Sequence, residues 1–246
     1  MAEAAGWGLL GASSLLIGAV IGLKLPIPSR VIGLILAFGA GTLISAVAFE
    51  LTDEAYGLGG GDTLTLGLAL GALAYFAGDY AIERRGAERR MSPMGRTEES
   101  TNSTSASALL LGAVLDGIPE SAVIGISLLG GEGVGVAVLA AVFLSNMPEA
   151  IASSRGMRHE GMGSAHVLVT WLTVVAISGI AAAAGYGLLE GASGDSVALL
   201  QAFAGGAVLT MLVDTMIPEA QKYGGRVAGL ATVLGFALAY LLSTLD

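Results

Sequence analysis

Residues 31–55 read VIGLILAFGAGTLISAVAFELTDEA. From Val31 to Phe49 there is no charged residue. A bilayer core of ~30 Å needs about 20 apolar helical residues, so this stretch is long enough to cross one. It is apolar all round and shows no alternation of period two, which argues for a helix in lipid rather than a half-buried strand. Asp53 and Glu54 mark its far end.

The same reading extended outward gives eight stretches, near 5–23, 31–51, 63–82, 106–129, 133–153, 166–189, 197–219 and 226–244. The expected fold class is therefore all-α. It is a polytopic membrane protein of eight transmembrane helices, forming a single domain over residues 1–246. Composition agrees: 54% of residues are hydrophobic and only 13% charged, against roughly a quarter charged in soluble domains. The net charge of -9 does not indicate an acidic soluble protein, because the charges fall in short clusters between apolar stretches. The 38 glycines let helices approach closely in lipid. With no cysteine, disulfides, thiolate metal sites and cysteine nucleophiles are excluded. The start, Met1-Ala2-Glu3, lacks the basic region of a signal peptide, so the first stretch is read as a span.

The basic residues fix an orientation. Lys24 and Arg30 lie between spans 1 and 2, and Arg84, Arg85, Arg89, Arg90 and Arg96 between spans 3 and 4. Arg155 and Arg158 lie between spans 5 and 6, and Lys222 and Arg226 between spans 7 and 8. These are all eleven Lys and Arg, and each falls in an alternate loop. The other loops hold Asp53, Glu54, Asp62, Glu132, Glu190 and Asp195. The positive-inside rule then puts both termini outside the cytoplasm, with a plasma membrane as the expected location. The loop 84–105 turns Ser/Thr-rich after its arginines and reads as a solvated cytoplasmic linker. Contact with anionic lipid headgroups is the alternative there. Topology accounts for the basic residues, so nothing supports nucleic-acid binding.

An internal repeat accompanies the spans. Residues 196–220 read SVALLQAFAGGAVLTMLVDTMIPEA. Set against 31–55, 165 residues earlier, Ala37/Ala202, Phe38/Phe203, Gly41/Gly206, Glu54/Glu219 and Ala55/Ala220 coincide without a gap. Spans 2 and 7 run in opposite senses in the topology above, so the repeat is inverted, relating spans 1–3 to 6–8 around a central span 4/5 pair. Inverted repeats are a recurrent design of secondary transporters.

Span 4 contains Leu115-Asp116-Gly117-Ile118-Pro119-Glu120-Ser121, and span 5 contains Leu144-Ser145-Asn146-Met147-Pro148-Glu149-Ala150. Charges at a bilayer centre cost at least ~2.5–3.5 kcal/mol each and by default mark a pathway or site. Asp116 and Glu120 share one helix face at i, i+4, as do Ser145 and Glu149. A helical proline removes one amide donor and releases the carbonyl four residues back, here those of Leu115 and Leu144. Carboxylates, hydroxyl, amide and spare carbonyls are the oxygen ligands of a divalent cation. The candidate metal residues are Asp116, Glu120, Ser145, Asn146 and Glu149. Three carboxylates packed together need a cation or protons to be tolerable. Glu50, Asp79 and Asp214 lie nearer span ends, where they can snorkel or line a vestibule. His159 and His166 flank a cytoplasmic loop; a solvated loop or a transient metal-exit site are the two readings.

These motifs resemble the ZIP (Zrt-, Irt-like) family of metal transporters. The resemblance covers essentially the whole chain and rests on the two Pro-Glu motifs of spans 4 and 5. Asp53-Glu54-Ala55 and Pro218-Glu219-Ala220 add to it, resembling the family's Pro-Glu-Ala ends of spans 2 and 7. It implies eight spans with both termini outside, import toward the cytosol, often a homodimer, and motion of spans 1, 4, 5 and 6 against the other four. It further implies two adjoining metal positions. The first is formed by Asp116, Glu120, Ser145 and Glu149, and the second by Glu120, Asn146 and Glu149. The family's span 4 His-Asn is Asp116-Gly117 here, and span 6 offers Ser178 but no acidic residue at mid-depth. An all-oxygen site suits manganese or iron(II) better than zinc, the family default. Two other readings stand beside this one. A proton-coupled transporter of another small solute would use the same bent helices and carboxylates. An intramembrane aspartyl protease would pair two of Asp79, Asp116 and Asp214, although no Gly-x-Gly-Asp or His-Glu-x-x-His accompanies them. An enzyme is the less expected outcome.

Overall fold

The computed structural model describes residues 1–84, 106–130, 134 and 136–244. The linker read from the sequence lies outside the described residues beyond Arg84, together with Arg85, Arg89, Arg90, Arg96 and Glu132. Among the described residues every regular element is helical. They are α1 (Ala2–Lys24), α2 (Ser29–Ala46), α3 (Asp53–Glu83), α4 (Ala106–Ser127), α5 (Val136–His159), α6 (Ser164–Leu189), α7 (Gly194–Met211), α8 (Ile217–Gly224) and α9 (Ala228–Ser243). Two π-helical segments, Val47–Thr52 and Leu212–Met216, join α2 to α3 and α7 to α8.

Four helical stretches among the described residues are long and apolar enough to cross a membrane: Ala2–Lys24, Ser29–Ile82, Ser164–Leu189 and Gly194–Ser243. The second holds 54 residues and the fourth 50. A straight helix of the former length would run ~80 Å at 1.5 Å per residue, more than twice the ~30 Å of a hydrocarbon core. Neither is straight. Gly60 has φ 71 and ψ -178, and Gly225 has φ 62. A side chain would be strained in that left-handed region, and glycine is not. The loop expected between residues 51 and 63 is thus mostly helix, broken at one glycine. Asp53 and Glu54 carry the helix on through this segment, because no proline interrupts it.

The structure places further matching features 165 residues apart. The π segments begin at Val47 and Leu212, and the left-handed glycines are Gly60 and Gly225. The threonine hydroxyls of these segments bond backbone carbonyls four residues back, Thr52 to Ala48 at 2.8 Å and Thr215 to Met211 at 2.7 Å. Such bonds occupy the carbonyl that a helical amide would otherwise use, and they bend helices. Packing repeats as well. Gly41 of α2 lies against the Thr232 carbonyl of α9, and Gly235 of α9 against the Phe38 carbonyl of α2. In the other half, Gly206 of α7 lies against the Leu68 carbonyl of α3, and Gly71 of α3 against the Phe203 carbonyl of α7.

These contacts sort the helices into two bundles. In one, α2 packs on α8 and α9, and α3 on α7. In the other, α1 packs on α4, α5 and α6, and α4 on α6. Gly18 of α1 rests on the Met147 carbonyl of α5, and Gly125 of α4 on the Ala182 carbonyl of α6. Between the bundles α2 also packs closely on α5, at Gly39, while α3 meets α4 through side chains, as where Gly78 meets the Leu115 side chain.

The outer faces are apolar. Leu66, Leu70, Leu73 and Phe76 of α3 are exposed, as are Leu230, Val233, Leu234 and Leu241 of α9. Soluble monomers rarely expose contiguous apolar surface of this kind. Basic side chains gather at one end. A cavity of ≈ 290 Å³ is lined by Lys24, Arg155, Arg158 and His159, and Arg155 donates to the Ile27 carbonyl.

The glycine contacts give a matched test. Gly41→Val and Gly206→Val each force a side chain into a carbonyl, and overpacking of that kind costs ~1–3 kcal/mol. Gly57, in α3, has nothing within 4 Å of an added Cβ. Gly57→Ala is expected to hold or gain ~0.5–1 kcal/mol. Thermal unfolding in detergent separates the two classes, with the valine variants melting lower.

Candidate functional site

Polar side chains inside this bundle concentrate on two helices. Asp116, Glu120 and Ser121 of α4, and Ser145, Asn146, Glu149, Ser153 and Ser154 of α5, are all buried. They make up half of the buried polar side chains among the described residues. The five candidate metal residues are 0–3% exposed, so lipid and bulk water are both kept from them.

Each helix carries its proline inside. Pro119 lies within α4 and Pro148 within α5, and neither helix ends there. The i−4 carbonyls, Leu115 and Leu144, lose their amide partners by the geometry of proline. α2 crosses α5 beside Pro148. A Cβ added at Gly39 would lie 3.1 Å from Ser145 Cα, 3.2 Å from Pro148 Cγ and 3.4 Å from the Leu144 carbonyl oxygen. Gly117 of α4 faces α6, where Ser178 Oγ would be 3.5 Å from an added Cβ. The glycine standing in the motif's second position therefore leaves room beside a buried hydroxyl.

The charged groups differ in their surroundings. Glu120 is buried with neither Oε1 nor Oε2 accepting a hydrogen bond. Asp116, one turn earlier, is close enough for its charge to act on Glu120. Asp116 itself has a donor: the Tyr75 hydroxyl of α3 donates to its Oδ1 at 2.5 Å. Ser145 donates to the Val142 carbonyl at 3.0 Å, which leaves its oxygen able to accept or ligate. Among the described residues, no three or more His, Asp or Glu side chains are grouped so as to hold a metal ion. The pairing in the structure is of two carboxylates on α4; the hydroxyl, amide and third carboxylate belong to α5, which touches α4.

The weaker sequence candidates separate. Asp79 is buried, Glu50 half-buried and Asp214 exposed. Asp79 and Asp214 are close enough for their charges to interact. Both histidines are exposed, and His159 lies at the rim of the basic cavity. Two residues went unread in the sequence. Tyr75 lay four positions before Asp79 in an apolar span, a spacing that puts both on one helix face. Gln201, a lone amide in span 7, is 1% exposed with its Oε1 unbonded, and it shares a hydrogen bond with Glu54.

Compared with known protein families and with curated proteins, the chain matches none.

An orphaned buried acceptor costs ~1–3 kcal/mol, more when charged. Glu120→Met removes that burden while keeping the volume. The apparent melting temperature of the metal-free protein is expected to rise, by about 2–4 °C per kcal/mol for a chain of this size. An unchanged or lower melting temperature would mean that Glu120 is compensated.

Proposed function

We propose that the chain is an eight-span transporter of divalent metal cations, carrying them toward the cytosol through a site on α4 and α5. The observation that carries this reading is Glu120, a buried carboxylate with no hydrogen-bond donor, one turn from a second carboxylate. Burying an ionised carboxylate without a partner is among the most unfavourable arrangements available to a protein. A cation supplies the partner that Glu120 lacks, and Asp116 can share it. Neutral oxygens from Ser145, Asn146 and the proline-released carbonyls would complete a hard-cation ligand set.

Supporting the span count, the two longest apolar stretches each break at a left-handed glycine. Each thus offers two crossings; α1, α6 and the proline-bent α4 and α5 bring the number to eight. Supporting the inverted repeat, the π segments and glycine breaks recur at the offset read from the sequence, and the reciprocal glycine contacts recur at 165 residues in α2 and α7 and at 164 in α3 and α9. The packing of α1 on α4, α5 and α6 supports the moving group that the ZIP resemblance implies, with α2 on α5 as its closest contact to the other helices.

The same orphaned carboxylate could take up a proton, which is what the alternative of a proton-coupled solute carrier requires. The proximity of Asp79 and Asp214 is the observation that favours an aspartyl protease. Asp214 is exposed, however, whereas a proton-sharing dyad needs a protected site.

Uptake into proteoliposomes across zinc, manganese, iron(II), cobalt and cadmium decides between these. Metal-dependent uptake is expected, with Glu120→Ala and Glu149→Ala abolishing it while the protein stays monodisperse. Normal uptake by either variant would remove the site. Asp116→His is expected to shift the profile toward zinc. Topology has its own test, since the chain has no cysteine. In intact cells a membrane-impermeant maleimide is expected to label Ala192→Cys and to spare Gly163→Cys.

A further inference from the structure

Tyr75 is 2% exposed and belongs to α3, while the carboxylate it serves belongs to α4. These helices lie in different bundles. Their contact follows one face of α3 at helical spacing: Tyr75 on Asp116, Gly78 on Leu115, and Ile82 packed with Leu115. A buried tyrosine hydroxyl needs a partner. Here it has a carboxylate, at the short distance of a charge-assisted bond. Ligating carboxylates are commonly held by such outer partners, whose removal typically lowers metal affinity about 10–100-fold.

We propose that Tyr75 is a positioning residue that makes the affinity of the site depend on how the two bundles are packed. This rests on the metal-transport reading above and on the motion of spans 1, 4, 5 and 6 that the resemblance implies. With α3 against α4, the Tyr75 hydroxyl orients Asp116 through Oδ1 and holds it for the cation. When the bundles slide, Tyr75 stays with α3 and Asp116 leaves with α4. The carboxylate then loses its orienting donor, and the cation is held less tightly. Release is thereby built into the movement and needs no further ligand.

The test is metal uptake by Tyr75→Phe, which removes one oxygen and keeps the ring. KM for the cation is expected to rise roughly tenfold, with kcat held or increased because release is easier. A structural defect would lower kcat instead. In the Asp116→Asn background, Tyr75→Phe is expected to add no further loss, because it acts through Asp116. 3-Fluorotyrosine at position 75 keeps the fold and makes the phenol a stronger donor, so KM should fall. An unchanged KM in Tyr75→Phe, a fall in kcat alone, or additive losses in the double variant would each overturn the role of Tyr75 and leave the transport reading standing. A wild-type protein that carries no cation would overturn the transport reading itself, and this inference with it.

Discussion

The interior of this protein is organised around a carboxylate that has no donor. Glu120 is enclosed by helices on all sides, and neither of its oxygens accepts a hydrogen bond. A packed apolar core would be more stable without it. The neighbouring features make sense as accommodations to that one group. Asp116 stands one turn away and adds charge rather than relieving it. Pro119 and Pro148 remove amide donors and release carbonyls, so the polar character at this depth is mainly acceptor. A region with surplus acceptors and few donors is suited to a cation.

Enclosing such a region requires close helices, and glycine provides the closeness. Gly18 lets α1 rest on the α5 backbone beside the proline, and Gly39 lets α2 cross α5 at the same proline. Within each bundle the glycines bring backbone against backbone, where even one added carbon would clash. Between the bundles, α2 approaches the α5 backbone at Gly39, and α3 meets α4 through side chains such as Leu115 and Tyr75. A side-chain contact like that of α3 with α4 is one across which packed helices can slide by shear. The π segments lie within the longer apolar stretches, where single-turn widenings often accompany function.

How much of this was legible beforehand depends on the range of the interaction. The four apolar helical stretches long enough to cross a membrane were legible because apolar length is a local property of the chain. Their ends were less so: the segment 52–59 stayed helical, since an acidic pair does not stop a helix without a breaker behind it. Gly60 was one glycine in a run of three, and only its φ identified it as the break. The candidate residues Asp116, Glu120, Ser145, Asn146 and Glu149 were legible as polar positions in apolar helices, and all are buried. Tyr75 was not, because a tyrosine in an apolar span is ordinary until its partner is known.

The sequence by itself determined that the chain is helical, that its longest helices suit a bilayer, and that two proline-containing helices carry acids. Hydropathy, helical period and proline chemistry act within a few residues and need no fold to be read. Only the tertiary structure decided which acid has a donor. Asp116 and Glu120 sit one turn apart on the same helix. Yet Asp116 meets a hydroxyl from a helix 41 residues earlier, and Glu120 meets none. Hydrogen bonding at buried sites is set by what other helices bring within 3 Å, and no local pattern encodes that.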